Sequence, residues 1–178
     1  MGILEFIIKL KPVSKHAEIL LLGLDNAGKT SLLNHLSDDV ETRGVATQGF
    51  QIKTLLISGV KLNVFDMGGT RAVRYYWRQY YGKADVVIFV IDAADGKRVQ
   101  EAKEVMEQCL EEEKLAGVPF LIFANKQDLI GAMSPEEMSE ELNLTELHDR
   151  SWQIEKCSAK TGEGISEGIT WVMKQIRR

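Results

Sequence analysis

Gly23-Leu24-Asp25-Asn26-Ala27-Gly28-Lys29-Thr30 sets a lysine and a hydroxyl directly behind a loop bounded by glycines, in the spacing GxxxxGK[ST]. That arrangement suits phosphate. Backbone N–H groups of Asp25, Asn26 and Ala27 can wrap an anion closely only where the chain path is permissive, and glycine permits it. A helix opening at Gly28 adds its partial positive charge. Lys29 supplies a full charge to β- and γ-phosphates, and the Thr30 hydroxyl is the expected magnesium ligand. The loop alone leaves adenine and guanine nucleotides both open.

Two later segments read the base. Asn125-Lys126-Gln127-Asp128 and Cys157-Ser158-Ala159-Lys160 each follow an apolar run. Guanine presents two donors on one edge, and the carboxylate of Asp128 can accept both. Adenine lacks them, so a buried carboxylate there would be left unpaired, at a cost of several kcal/mol. Asn125 is expected to contact the base and tie segments together. The stem of Lys126 can lie over the ring, Ser158 belongs to the same turn, and the Ala159 N–H can donate to the base O6.

These segments need strands to end beside them. Ile19–Leu24 is a short apolar run, and Gly28–Leu36 reads as a helix start. Phe50–Ile57 and Val60–Asp66 flank Ser58-Gly59 and read as a β-hairpin. Val86–Ile91 and Val118–Ala124 are continuous apolar runs, suited to strands buried on both faces. Lys97–Leu115 carries helical periodicity, Ser134-Pro135 starts another helix, Trp152–Cys157 is a last strand and Ile165–Ile176 a closing helix. The alternation implies an α/β fold with a mostly parallel sheet, helices on both faces and one antiparallel strand. Ligands of such sheets bind at the carboxyl ends of the strands, where every motif falls.

The chain of 178 residues fits one domain, with 44% hydrophobic and 27% charged residues. A net charge of -4 argues against general nucleic-acid binding, so no nucleic-acid partner is expected. Cys109 and Cys157 show no metal or disulfide spacing and read as buried thiols of a reducing compartment. No apolar run approaches the ~18 residues of a spanning helix, and no secretory signal is evident.

LGLDNAGKT at 22–30, TQGF at 47–50, DMGG at 66–69, NKQD at 125–128 and CSA at 157–159 resemble the Arf-like small GTPases, over essentially the whole chain. The resemblance implies a P-loop small GTPase fold with a six-stranded mixed sheet, an N-terminal amphipathic helix and linker over 1–16, and the GTPase domain over 17–178. It implies GTP or GDP with Mg2+ as ligands. Thr47 would bind magnesium only with the γ-phosphate present, Asp66 would hold a magnesium-bound water, and Gly69 would give its N–H to the γ-phosphate. It further implies a monomer with lipid-cargo carrier effectors, an exchange factor and a GTPase-activating protein. The expected location is cytoplasmic, with association to cilium or flagellum, microtubule or membrane.

Three departures from the family pattern stand out. Ala46 replaces the usual proline, and Phe65 the usual tryptophan of an exposed effector trio that would be Phe50, Phe65 and Tyr80. Thr70 replaces the glutamine that orients the attacking water. Asp25 brings a carboxylate near the γ-phosphate region. Two readings therefore compete: a GTPase completed by an activating partner, and a GTP-binding module with vestigial hydrolysis. A third, a P-loop kinase or ATPase, is opposed by NKQD. Ile3, Leu4, Phe6, Ile7, Ile8 and Leu10 occupy an apolar arc of roughly 200°, suited to weak reversible membrane contact. Gly2 invites acylation, but Phe6 stands where the motif wants Ser or Thr.

Overall fold

The computed structural model describes residues 15–37 and 49–176. The expected N-terminal helix, Gly2, Ala46 and Thr47 lie outside the described residues.

Six strands form one sheet in the order β2-β3-β1-β4-β5-β6. The strands are β1 (Lys15–Leu22), β2 (Phe50–Ile57), β3 (Val60–Met67), β4 (Val86–Asp92), β5 (Phe120–Asn125) and β6 (Trp152–Lys156). Only the β2–β3 pair is antiparallel. Ser58 and Gly59 close that hairpin with positive φ of 49° and 79°, the geometry that matches strand twist.

The helices are α1 (Lys29–Ser37), the short α2 (Arg71–Arg74), α3 (Val99–Leu110), α4 (Pro135–Glu141) and α5 (Ile165–Ile176). The central strands feed both faces, which is why their sequences are unbroken apolar runs. Leu20, Leu22, Phe89, Ile91, Phe120 and Ile122 pack under Trp77, Met106 and Met138. Ile19, Leu21, Ile88, Val90, Leu121 and Phe123 pack under Leu32, Leu33, Ile169 and Val172. Ser134 caps α4 in a reciprocal capping box with Glu137, as the Ser-Pro start predicts.

Most boundaries shift by one or two residues from the sequence reading, and three differences have a clear physical reason. β1 begins at Lys15, before the apolar run, because its first residues pair with β3 from Val60 onward. β5 begins at Phe120 rather than Val118, since Pro119 has no N–H to give the ladder. The stretch 97–115 is not one helix: α3 is flanked by 3-10 turns at Gly96–Arg98 and Glu113–Leu115. Leu115 is fully buried in its own turn, so the apolar period continues past the end of the helix. Both cysteines are buried and free. No helix among the described residues is long and apolar enough to cross a membrane.

Candidate nucleotide site

Four of the parallel strands deliver site residues at their carboxyl ends. The loop 23–30 follows β1, Asp92 ends β4, Asn125 ends β5 with Lys126–Asp128 behind it, and Cys157–Ala159 follow β6. Asp66 and the glycines behind it come at the end of β3.

In the phosphate loop, Asn26 and Gly28 adopt positive φ. A Cβ on Gly28 would fall 2.3 Å from the Asn125 side-chain nitrogen, so no larger residue fits there without displacing it. The Lys29 ammonium lies across the loop, donating to the carbonyls of Gly23 at 2.9 Å and Leu24 at 2.7 Å. Burial pushes its pKa down to about 8, against the pull of Asp66 and Asp25.

Beside it, the Thr30 hydroxyl donates to Asp66 Oδ2 at 2.7 Å, and the Gln51 side-chain amide donates to the same oxygen at 3.0 Å. Sequence reasoning had no signal for Gln51, whose register on β2 sets it opposite Asp66. A hydroxyl and a carboxylate held together beside a phosphate loop form a hard-oxygen pair, and their chemistry fits magnesium. Lys29, Thr30 and Asp66 border a cleft of about 620 Å³ that also includes Asp25, Asn26, Gly68, Gly69 and Thr70.

The base segments border a second cleft of about 370 Å³, lined by Gly28, Ser31, Asn125, Lys126, Asp128 and Ala159 among others. Asn125 is buried and holds three segments at once. Its amide donates to the Ala27 carbonyl at 2.8 Å and its oxygen accepts from the Ala159 N–H at 2.9 Å. The Ala159 N–H, expected to reach a base oxygen, is thus directed to Asn125. Lys126 sits in the left-handed region (φ 66°) and pairs with Asp92 at 2.6 Å, a partner sequence reasoning missed. Asp128 Oδ1 accepts from the Ser158 hydroxyl at 2.6 Å, which holds its carboxyl below the usual range. Asp128 is exposed, not buried as the selectivity argument assumed. It stands at the rim of the cleft, where burial depends on what lies against it.

The model of the ADP-ribosylation factor family matches residues 3–176. The chain belongs to the ADP-ribosylation factor family. The segments at 111–129 and 149–164 resemble Arf-like protein 3, with Arf-like protein 2 the competing reading, and the curated relatives include both. ADP-ribosylation factor-like protein 3 of Chlamydomonas reinhardtii is 49% identical over 177 residues, covering 99% of this chain and 100% of that one. ADP-ribosylation factor-like protein 2 of Dictyostelium discoideum is 50% identical, covering 99% and 96%. Among solved structures, the Arl6 (BBS3) small GTPase of Trypanosoma brucei, with bound nucleotide analogue GppNp, superposes with a TM-score of 0.84. It is 35% identical, covering 92% of this chain and 98% of that one. The sheet and helices are those expected of an Arf-family small GTPase.

Within this family frame, the departures acquire places. Thr70 caps α2 with extended backbone, and its exposed side chain makes no capping bond. Asp25 is not an unbalanced carboxylate at the phosphates. Arg98 donates to both its carboxylate (2.8 Å) and its carbonyl (3.1 Å), and holds its carboxyl below the usual range. Arg74 pairs with Glu101 at 3.0 Å and lies 3.8 Å from Asp25. Phe50, Phe65 and Tyr80 do gather: the Tyr80 ring lies tilted against Phe50 at 4.9 Å and against Phe65 at 5.6 Å between centroids. Only Phe50 of the first two is exposed, since Phe65 is 6% accessible. Trp77 is core, whereas Tyr76 is exposed.

Proposed function

We propose that this chain is a guanine-nucleotide switch: it binds GTP or GDP with Mg2+ and presents a different surface in each state. The observation that carries this reading is Asn125, which joins the phosphate loop to both base segments and so makes one site of three distant stretches. Asp128, already held by Ser158, turns its second oxygen to the guanine edge, and the base in place shields it from water. Lys29 grips the phosphates. Thr30 and Asp66 would hold magnesium, the ion supplying charge neutralisation and orientation of the phosphates. Thr47 would join them, and the Gly69 N–H would meet the γ-phosphate, so that both loops respond to its loss.

The triphosphate form engages effectors through exposed Phe50 and half-buried Tyr80, with buried Phe65 backing them, and exposed Ile52 and Leu56 extend that apolar strip along β2. Lipidated-cargo carriers are the effector class that the sequence resemblance implies for this chain. An exchange factor and an activating protein complete the cycle, and the apolar residues between Ile3 and Leu10 give weak membrane contact. A second reading, a GTP-binding module that barely hydrolyses, is favoured by the uncommitted Thr70 side chain.

Titration of purified protein with GDP, GppNp and ADP, followed by pull-down from cytosol in each loaded state, tests the switch. Guanine nucleotides should bind at least ~10³-fold more tightly than adenine nucleotides. Carrier proteins should be retained by the GppNp form alone. ADP binding as tight as GDP, or no binding of either, would overturn the reading.

A further inference from the structure

The loop Asp66–Thr70 is fastened from behind. The Trp77 indole N–H donates to the Gly68 carbonyl at 2.9 Å, and the Arg74 Nε donates to the Gly69 carbonyl at 2.6 Å. These carbonyls belong to successive peptide units. In a planar trans peptide the N–H points opposite to the carbonyl. Fixing the Gly68 carbonyl therefore aims the Gly69 N–H away from Trp77, and fixing the Gly69 carbonyl aims the Thr70 N–H away from Arg74. Neither N–H has a hydrogen-bond partner among the described residues. Gly69 is buried, so its free donor is costly unless an acceptor meets it. It also lies directly on the phosphate loop, since a Cβ there would fall 2.3 Å from the Asp25 nitrogen.

Both fastening side chains are themselves immobilised. Trp77 is 1% exposed, within the core beside Leu20 and Phe65. Arg74 has 13% side-chain exposure and donates to Glu101, which also accepts from Arg98 at 3.2 Å. Preorganised donors held this way stabilise charge without reorganising when it arrives.

We propose that Trp77 and Arg74 are positioning residues for the terminal phosphoryl group, presenting two consecutive amide donors, on Gly69 and Thr70, to it. The second donor gives position 70 a role through its backbone, whatever its side chain. This rests on the reading that the cleft takes a guanine nucleotide.

The test compares Trp77→Phe, which keeps a ring and removes the N–H, with Arg74→Gln. Affinities for fluorescently labelled GDP and for the labelled non-hydrolysable triphosphate are measured in Mg2+, together with the ³¹P shift of the bound γ-phosphate. Each variant should lose roughly tenfold in triphosphate affinity while GDP affinity stays within about twofold, and the γ-phosphate resonance should move. Equal losses for both nucleotides, or no loss, would overturn the proposal, because a merely structural role does not separate them. Arg74→Gln carries the test if Trp77→Phe does not fold. Wild-type protein that binds neither nucleotide would instead sink the functional reading itself.

Discussion

The side chain of Asn125 donates to the carbonyl of Ala27 across 98 positions of sequence. Through that bond the base segments hold the phosphate loop in shape. Asn125→Asp keeps the acceptor for Ala159 and loses the donor to Ala27, leaving two oxygens facing each other. Affinity for GDP and GTP should both fall, by roughly 10- to 100-fold. Equilibrium dialysis with either nucleotide reads the loss, and an unchanged affinity would mean that the loop shapes itself without Asn125.

Lys29 gives a pH dependence. Its pKa drops from 10.5 in the free side chain to about 8 on burial. Below pH 8 it is charged in both folded and unfolded chains. Between about 8 and 10.5 only the unfolded chain keeps the proton, so folding stability rises with pH across that window. In protein stripped of nucleotide, stability measured against Lys29→Met should climb by about 3 kcal/mol from pH 7 to 10.5. Urea unfolding at several pH values checks it; a flat difference would mean the ammonium is well solvated when folded. Bound phosphates would hold the proton on and abolish the climb.

Thr70 lies beside the phosphate cleft with a side chain too short to orient water and to contact phosphate at once. Thr70→Gln should raise unaided single-turnover phosphate release by roughly 10²-fold. Equal rates would show that this position does not limit the chemistry.

The segments proposed for the nucleotide stand out in the sequence because each is contiguous: eight residues for the phosphates and four for each base contact. The central strands β4 and β5 were legible because burial on both faces leaves no polar alternation to confuse them. What the sequence hid are pairs made by register and packing. Gln51 reaches Asp66 because β2 and β3 pair antiparallel with those two residues opposite. Asp92 meets Lys126 because β4 lies next to β5 with Asp92 opposite Asn125. Arg98 reaches Asp25 from the start of α3, 73 residues away, and no local pattern announces it. The helix expected over 97–115 failed for a related reason, since hydrophobic spacing marks burial and not hydrogen-bond type.

Because β1 lies between β3 and β4, the first of the described strands waits for the fourth before both its edges are paired. The phosphate loop cannot be braced until β4 has left the ribosome, and Asn125 arrives later still. Ala159 completes its bonding only after β6 has emerged. A nascent chain halted in mid-synthesis thus carries the lysine for phosphates without the means to tell one base from another. On the proposed reading, discrimination among nucleotides waits for the segments behind β5 and β6.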